Sequence, residues 1–289
     1  MPPPIRPGAL VAVVAPASGF DRDELFRGLA WLRMRYRLRV DSRIFSRTGF
    51  LAGTDVSRAA VLGAAMLDPD VGAIVCARGG YGAMRILDAL PWEQFAERPK
   101  PLLGFSDITA LHVVANARGV PTLHGPNVTG LGRSISAAER ASVIAALEGG
   151  AVAPWSDLDI VIPGDAQGPV VGGNLALVEA MAAAGRLVMP PNAILALEDV
   201  TERPYRIDRM LTSLLLGGYL QRASAIVFGD FTQCEPGPDG TTTADVLRER
   251  TAELGIPVVR SAPFGHGAPN HAFFLGRDAR LEGSTLAWL

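Results

Sequence analysis

The sequence predicts an α/β protein with an N-terminal parallel-sheet domain of Rossmann or flavodoxin-like type and a smaller C-terminal α/β domain of mixed strands. Three observations carry this expectation. Short continuous apolar runs alternate with segments of helical periodicity, as in a parallel sheet covered on both faces. Near residues 150–168 the texture changes, and Pro, Gly and Asp stand between short β-rich stretches. Beyond that point the alternation of strand and helix resumes. The expected division is a first domain over 1–150, a linker over 151–168 and a second domain over 169–289.

Taken in order, "ALVAVVA" at 9–15 is a β-rich run that stops at Pro16, and "DRDELFRGLAWLRMR" follows with Leu25, Leu29 and Leu32 at helical spacing. The same pairing returns in "VSRAAVLGAAML" and "VGAIVCA", in "RILDAL" and "PLLGF", and in "ITALHVVANARG" and "VPTLHG". A helix over 136–150 ends on a Gly pair of the kind that terminates helices. After the linker, "NLALVEAMAAAG", "YRIDRMLTSLLLGG" and "TTADVLRERTAELG" read as helices, and "NAILALED" and "ASAIVFGDF" as strands. There is no fixed-period repeat and no low-complexity segment.

Hydrophobic residues make up 48% of the 289, enough for a substantial core. Only 19% are charged, and 27 basic against 29 acidic side chains leave a formal charge of −2, so no footprint for nucleic acid is visible and a small-molecule or peptide substrate is expected. Cys76, inside an apolar run, and Cys234 are the only cysteines, and nothing in their placement asks for an oxidising compartment. The N-terminal apolar stretch of about eight residues is too short to span a bilayer and has no signal-peptide pattern. A soluble, cytoplasmic protein without a membrane partner is therefore expected. With no H-E-x-x-H and two distant cysteines, neither a metal nor another cofactor is expected.

Four stretches could carry chemistry. In "PLLGFSDITALH", residues 101–112, a buried strand turns abruptly into a helix at Ser106 and Asp107. Such a turn can present a hydroxyl at the carboxyl edge of the sheet, beside free backbone N–H groups; a plain capping serine fits the same stretch. The hydrolase elbow G-x-S-x-G is half present, with Gly104 in place and Ile108 where the second glycine would stand. In "CARGGYGAMRIL", residues 76–87, Arg78, Gly79, Gly80 and Gly82 follow a strand and precede an apolar-periodic helix. A phosphate cradle, an oxyanion or carboxylate site and an ordinary turn all suit such a loop, although it lacks the Lys-Ser/Thr ending of a P-loop.

Glu198 and Asp199 end an apolar strand in "ILALEDVTERPYRIDRM", either as part of a site or as a solvated strand exit. In "PFGHGAPNHAFFLG", residues 263–276, His266 stands between two glycines in a Pro-rich loop, free to project and either functional or merely exposed. His112 reads as a packing residue, His271 as structural, and His124 ends a strand at the sheet edge. A serine at a strand-to-helix turn, a carboxylate at a strand end and a histidine in a glycine-framed loop supply nucleophile, orienter and base.

With these motifs in view, the sequence resembles the LD-carboxypeptidase family of serine peptidases, which comprises muramoyltetrapeptide carboxypeptidases and their relatives that inactivate the peptide-nucleotide antibiotic microcin C. The resemblance runs through "VAVVAPAS", "RGGYGAMRIL", "LLGFSDITALH", "HGPN", "GGNLALV", "LALEDVTERPYRIDRMLTSL" and "PFGHGAPNHAFFLG", nearly the whole chain. It implies a Ser-Glu-His triad at Ser106, Glu198 and His266, with an oxyanion hole from the backbone N–H groups of Asp107 and Gly80. Helix capping then passes from Ser106 to neighbouring backbone or to Asp107. The resemblance also implies an N-terminal domain bearing the serine, a C-terminal domain bearing Glu and His, a homodimer, and hydrolysis of the amide before the terminal D-alanine of cytoplasmic murein tetrapeptides. For a substrate rich in carboxylates, Arg78, Arg203 and Arg206 are candidate partners, since a guanidinium matches a carboxylate bidentately. A microcin-C-type peptidase is the alternative within the family, and it would need an aromatic face for the base, for which Trp155 and Trp92 are available. A non-catalytic protein binding small anions is the alternative outside it.

Overall fold

The computed structural model describes residues 1–289, which form two compact units: Met1–Ala151 with His271–Phe273, and Val152–Asn270 with Phe274–Leu289. The architecture is α/β in both, with a mostly parallel first sheet and a mixed second sheet.

In chain order the first unit contains β1 (Leu10–Val14), α1 (Arg22–Arg33), β2 (Arg37–Val40), α2 (Asp55–Leu67), β3 (Val71–Cys76), α3 (Trp92–Glu97), β4 (Leu102–Gly104), α4 (Thr109–Asn116), β5 (Thr122–His124), α5 (Val128–Leu131) and α6 (Ala137–Glu148). The second contains β6 (Asp159–Ile162), β7 (Asp165–Asn174), α7 (Leu175–Ala183), β8 (Ala193–Val200), α8 (Pro204–Leu216), β9 (Ala223–Thr232), α9 (Thr243–Thr251) and β10 (Val258–Arg260). Three strands close the chain: β11 (Phe273–Leu275), β12 (Asp278–Glu282) and β13 (Thr285–Trp288).

The first sheet runs β11-β5-β4-β3-β1-β2, and β1 through β5 pair in parallel. Leu25, Leu29 and Leu32 of α1 are fully buried, as their spacing requires, and Asp21 caps that helix by accepting from Glu24 N at 2.9 Å. The C-terminus of α6 is set by Gly149 in the left-handed region, φ +75°. The helix expected around "RILDAL" is instead a 3₁₀ turn over Ala83–Ala89. It is confined between Gly82, at φ +127°, and Pro91, which disfavours helical backbone at Leu90.

The second sheet runs β13-β12-β7-β8-β9-β10-β6. Its centre, β7 to β10, is parallel, and β12, β13 and β6 pair antiparallel. Residues 151–168, expected as a linker, carry β6 and the start of β7. Trp155 is held there in an apolar cluster, stacked on Phe264 at 5.4 Å between centroids and edge-on to Trp288 at 4.7 Å. The buried Trp155 and Phe264, covered further by the half-buried Trp288, outweigh the Pro- and Gly-rich texture that suggested a linker. No helix is long and apolar enough to cross a membrane.

Helices α1 and α5 cross closely within the first unit. A Cβ on Gly28 would lie 1.9 Å from the Val128 carbonyl oxygen, and one on Gly132 would lie 1.8 Å from that of Glu24. In an exposed helix Gly→Ala stabilises by up to about 1 kcal/mol. Here the clash is with backbone, which cannot rotate away, so Gly28→Ala is expected to destabilise by about 1–3 kcal/mol. A urea midpoint equal to or above that of the parent would contradict the close crossing.

Candidate active site

The strand order of the first sheet reverses between β1 and β3, and open α/β sheets bind ligands outside the carboxyl ends of the strands at such a point. Two segments leave the sheet there: 15–18 after β1, and the glycine loop 77–82 after β3. They are laced together, with Ser18 N donating to the Gly79 carbonyl at 3.3 Å and Tyr81 N donating to Ser18 Oγ at 3.0 Å. Gly80 has φ +101°, and a Cβ on it would sit 2.6 Å from Ser18 Oγ, so only glycine fits.

From β4 the chain turns into α4 through Ser106, a half-buried serine at φ +66°. A non-glycine residue in this region costs roughly 1–3 kcal/mol and persists only where its surroundings over-determine it. They do so here. A Cβ on Gly79 would lie 2.8 Å from Ser106 Cβ, and one on Gly104 would lie 2.9 Å from both γ-carbons of the fully buried Ile108. Ile108 therefore occupies the space that Gly104 leaves empty, which explains how the elbow closes without its second glycine.

No side chain caps α4 or the 3₁₀ turn of residues 106–108. Of the two expected substitutes for capping, neighbouring backbone or Asp107, the Asp107 side chain is not one. Its fully buried carboxyl crosses to the glycine loop, where Oδ2 accepts from Ala83 N at 2.7 Å. His112, also fully buried, contacts the Gly104 carbonyl through Nε2 at 3.0 Å, and burial pushes its pKa down to about 4. His124 is buried and stacked on Phe273 at 4.9 Å.

In the second unit, Glu198 and Asp199 lie at the carboxyl end of β8, and both are buried. Strict alternation turns neighbouring side chains to opposite faces, and both faces of β8 are covered, so both carboxylates are buried; the β8–β9 register shifts between Leu197 and Asp199 with the extra residue on β9. The alternative of a solvated Asp199 is overturned: its carboxylate accepts from Asn174 Nδ2, Ala176 N and Val200 N at 3.0, 3.0 and 2.8 Å. Burial, helped by the neighbouring Glu198 charge, pushes the Asp199 pKa up to about 6.

Glu198 Oε2 accepts from His266 Nδ1 at 2.7 Å, with the carboxylate fully buried and the imidazole only 19% exposed. That bond fixes the tautomer and leaves Nε2 for chemistry. Burial opposes the charged imidazole, but the Glu198 hydrogen bond and the charges of Glu198, Asp199 and Asp230 outweigh it, so His266 titrates above its ordinary 6.5. The loop is shaped around Asp230. A Cβ on Gly267 would meet Asp230 Oδ2 at 2.1 Å, Gly265 has φ +135°, and Asp230 N donates to the Phe264 carbonyl at 2.9 Å.

The first unit thus brings Ser106, Asp107 and Gly80 together, and the second joins Glu198 to His266. The arginines are exposed and already engaged. Arg78 donates to the Gly19 carbonyl at 2.6 Å, Arg203 to the Pro236 carbonyl at 3.1 Å, and Arg206 meets Tyr205 Oη at 3.2 Å and Glu202 at 3.5 Å. Trp155 and Trp92 are 3% and 5% exposed and present no face to a base. The sequence reading passed over Asn174, Asp230, Ser18 and Arg58. Asp230 stands at a strand exit like Glu198, which could have marked it, whereas Arg58 lies inside an ordinary helical pattern that gives no signal.

The fold and the sequence relatives together place the chain in a class, the serine-type carboxypeptidases. Family profiles of the LD-carboxypeptidase N-terminal and C-terminal domains match residues 11–125 and 167–281, and the chain belongs to that family. The murein tetrapeptide carboxypeptidase of Pseudomonas aeruginosa is 35% identical over 96% of this chain and 94% of its own length. Among solved structures, the muramoyltetrapeptide carboxypeptidase of Oxalobacter formigenes superposes with a TM-score of 0.87 at 26% identity, covering 97% of this chain and 98% of that one. The microcin C7 self-immunity protein MccF shares the fold, with a TM-score of 0.90 at 20% identity over 99% of this chain and 98% of its own.

Gly79 offers a direct check on the elbow. Gly79→Ala would push on Ser106 Cβ and Oγ, and misplacing a reacting group by about 1 Å can cost roughly 10²-fold. Expected is a loss of at least tenfold in kcat with an unchanged melting temperature; full activity in the variant would contradict the packing.

Proposed function

We propose that the protein hydrolyses the L,D-amide bond before the terminal D-alanine of murein tetrapeptides, with Ser106 as nucleophile, His266 as general base and Glu198 as the carboxylate that orients it. The observation that carries this is the 2.7 Å bond between a buried Glu198 and His266 Nδ1, since a serine hydroxyl needs a base held in one tautomer. In this mechanism the imidazole takes the Ser106 proton as Oγ attacks the carbonyl. The resulting oxyanion accepts from the Gly80 and Asp107 N–H groups, each typically worth about 10²–10³ in rate. The imidazolium then protonates the departing D-alanine nitrogen, and water hydrolyses the acyl-enzyme by the same route.

Support for the substrate comes from the Pseudomonas relative, and the burial of Trp155 and Trp92 speaks against a stacked nucleobase on either. Arg78, Arg203 and Arg206 remain candidates for the substrate carboxylates, each with N–H donors to spare.

The test is turnover of murein tetrapeptide and of a peptide-linked nucleotide, with Ser106→Ala as control. Release of D-alanine from the tetrapeptide alone is expected, and removing a triad serine can cost about 10⁶ in kcat. Wild-type hydrolysis by Ser106→Ala would end the nucleophile assignment, and turnover of the nucleotide conjugate alone would move the substrate to the microcin type.

A general base must be neutral to act, so the raised pKa of His266 sets the acid limb of kcat/KM. Activity should rise with pH through a midpoint above 6.5. Asp230→Asn removes a negative charge that favours imidazolium and should move that midpoint down. A midpoint below the ordinary histidine value, or an upward shift in the variant, would contradict the assignment.

A further inference from the structure

Asp107 follows the proposed nucleophile and is fully buried, yet it serves neither as a cap nor in an ion pair. Its Oδ2 accepts from Ala83 N at 2.7 Å, the Gly82 N–H also points to this carboxylate, and Oδ1 has no partner. Burial pushes its pKa up, against the pull of the two N–H groups and of nearby Arg58. On the far side of the same turn, the Gly82 carbonyl accepts from Arg58 Nη1 at 3.0 Å, and that nitrogen also bonds the Pro16 carbonyl after β1. Arg58 is 2% exposed. Gly82 leaves no room for a side chain, because a Cβ would lie 2.6 Å from Leu51 and 3.0 Å from Arg58 Nη1. The turn is therefore gripped through its N–H groups by one buried charge and through its carbonyl by another.

Two residues before this turn is Gly80. We propose that the Asp107 side chain is a positioning residue that sets the spacing of the oxyanion hole, anchoring the Gly80 loop to the elbow whose own Asp107 N–H is the other donor. One residue then supplies one donor through its backbone and locates the second through its carboxylate. Arg58 holds the loop from behind, so that it cannot follow the carboxylate out of register. A preorganised pair of donors aids the transition state far more than the ground state, in which the carbonyl oxygen carries little charge. This inference rests on the serine-peptidase mechanism above, and its test is built to fail separately from it.

The experiment measures kcat and KM on murein tetrapeptide for Asp107→Ala, Asp107→Asn and Ser106→Ala, with affinity for a peptidyl boronate as a probe of the tetrahedral state. Asp107→Ala should lower kcat by about 10²–10³, as for loss of one donor, with KM within threefold and boronate affinity falling in parallel. In Asp107→Asn the carboxamide oxygen can still accept from Gly82 and Ala83, so it should recover at least tenfold over Ala. A kcat for Asp107→Ala within threefold of wild type overturns the inference. So does a folded Asp107→Asn as slow as the alanine variant, or a loss carried by KM with kcat and boronate affinity intact. Should Asp107→Ala fail to fold, Asp107→Asn decides: boronate affinity and kcat within tenfold of wild type support the role, and a greater loss of both overturns it. If Ser106→Ala hydrolyses the tetrapeptide, the underlying mechanism fails; if it is inactive while Asp107→Ala is not, only the positioning role is lost.

Discussion

Ser106 is held in a left-handed backbone conformation at the end of a buried strand, and the first unit is organised around that constraint. Such a residue is stable only if neighbouring backbone presses on it from several sides. Gly79 must lack a side chain because Ser106 stands where its Cβ would go, and Gly104 must lack one because Ile108 fills that space. The parallel sheet brings these pieces to one edge, since β3 and β4 are neighbours and their carboxyl ends give rise to the glycine loop and the elbow. Local strain is thus stored at Ser106, at the edge of the sheet.

A different constraint governs the second unit, where buried negative charge must be matched. Charges inside a protein are tolerated only when hydrogen-bonded or paired. Asp199 is satisfied by Asn174 and by N–H groups of α7 and β8, and in the same stroke it ties the ends of β7 and β8 to the first turn of α7. Glu198 is left to His266, with its Oε1 unpartnered. An unsatisfied buried oxygen is a liability in a packing role and a common sign of a working one. Asp230 completes the arrangement by requiring glycine at 267, which explains the residue pattern around the histidine.

Much of this is legible in the sequence. The alternation of apolar runs and helical periodicity specified the strands and helices, because period and burial are local properties of the chain. Ser106, Glu198 and His266 could be singled out as candidates because each sits at a break in a pattern: a strand-to-helix turn, a strand end, a glycine-framed loop. The 3₁₀ turn after Gly82 and the strand within 151–168 were not legible. In the first case Gly82 and Pro91 bound the segment more tightly than its apolar period suggests. In the second, a tryptophan cluster formed by residues distant in sequence overrides local composition.

By itself, then, the sequence determined the α/β class, the order of the elements and the residue types able to do acyl-transfer chemistry, since these follow from period, composition and spacing. Only the tertiary structure decided that Asp107 reaches across to Ala83 instead of capping its own helix, and that Arg58 grips the same turn from α2. The register shift on β9 opposite Glu198, and the burial of both Glu198 and Asp199, were likewise tertiary outcomes. These are contacts between residues far apart in sequence or shifts of strand register, and no local pattern encodes where a buried carboxylate finds its donors.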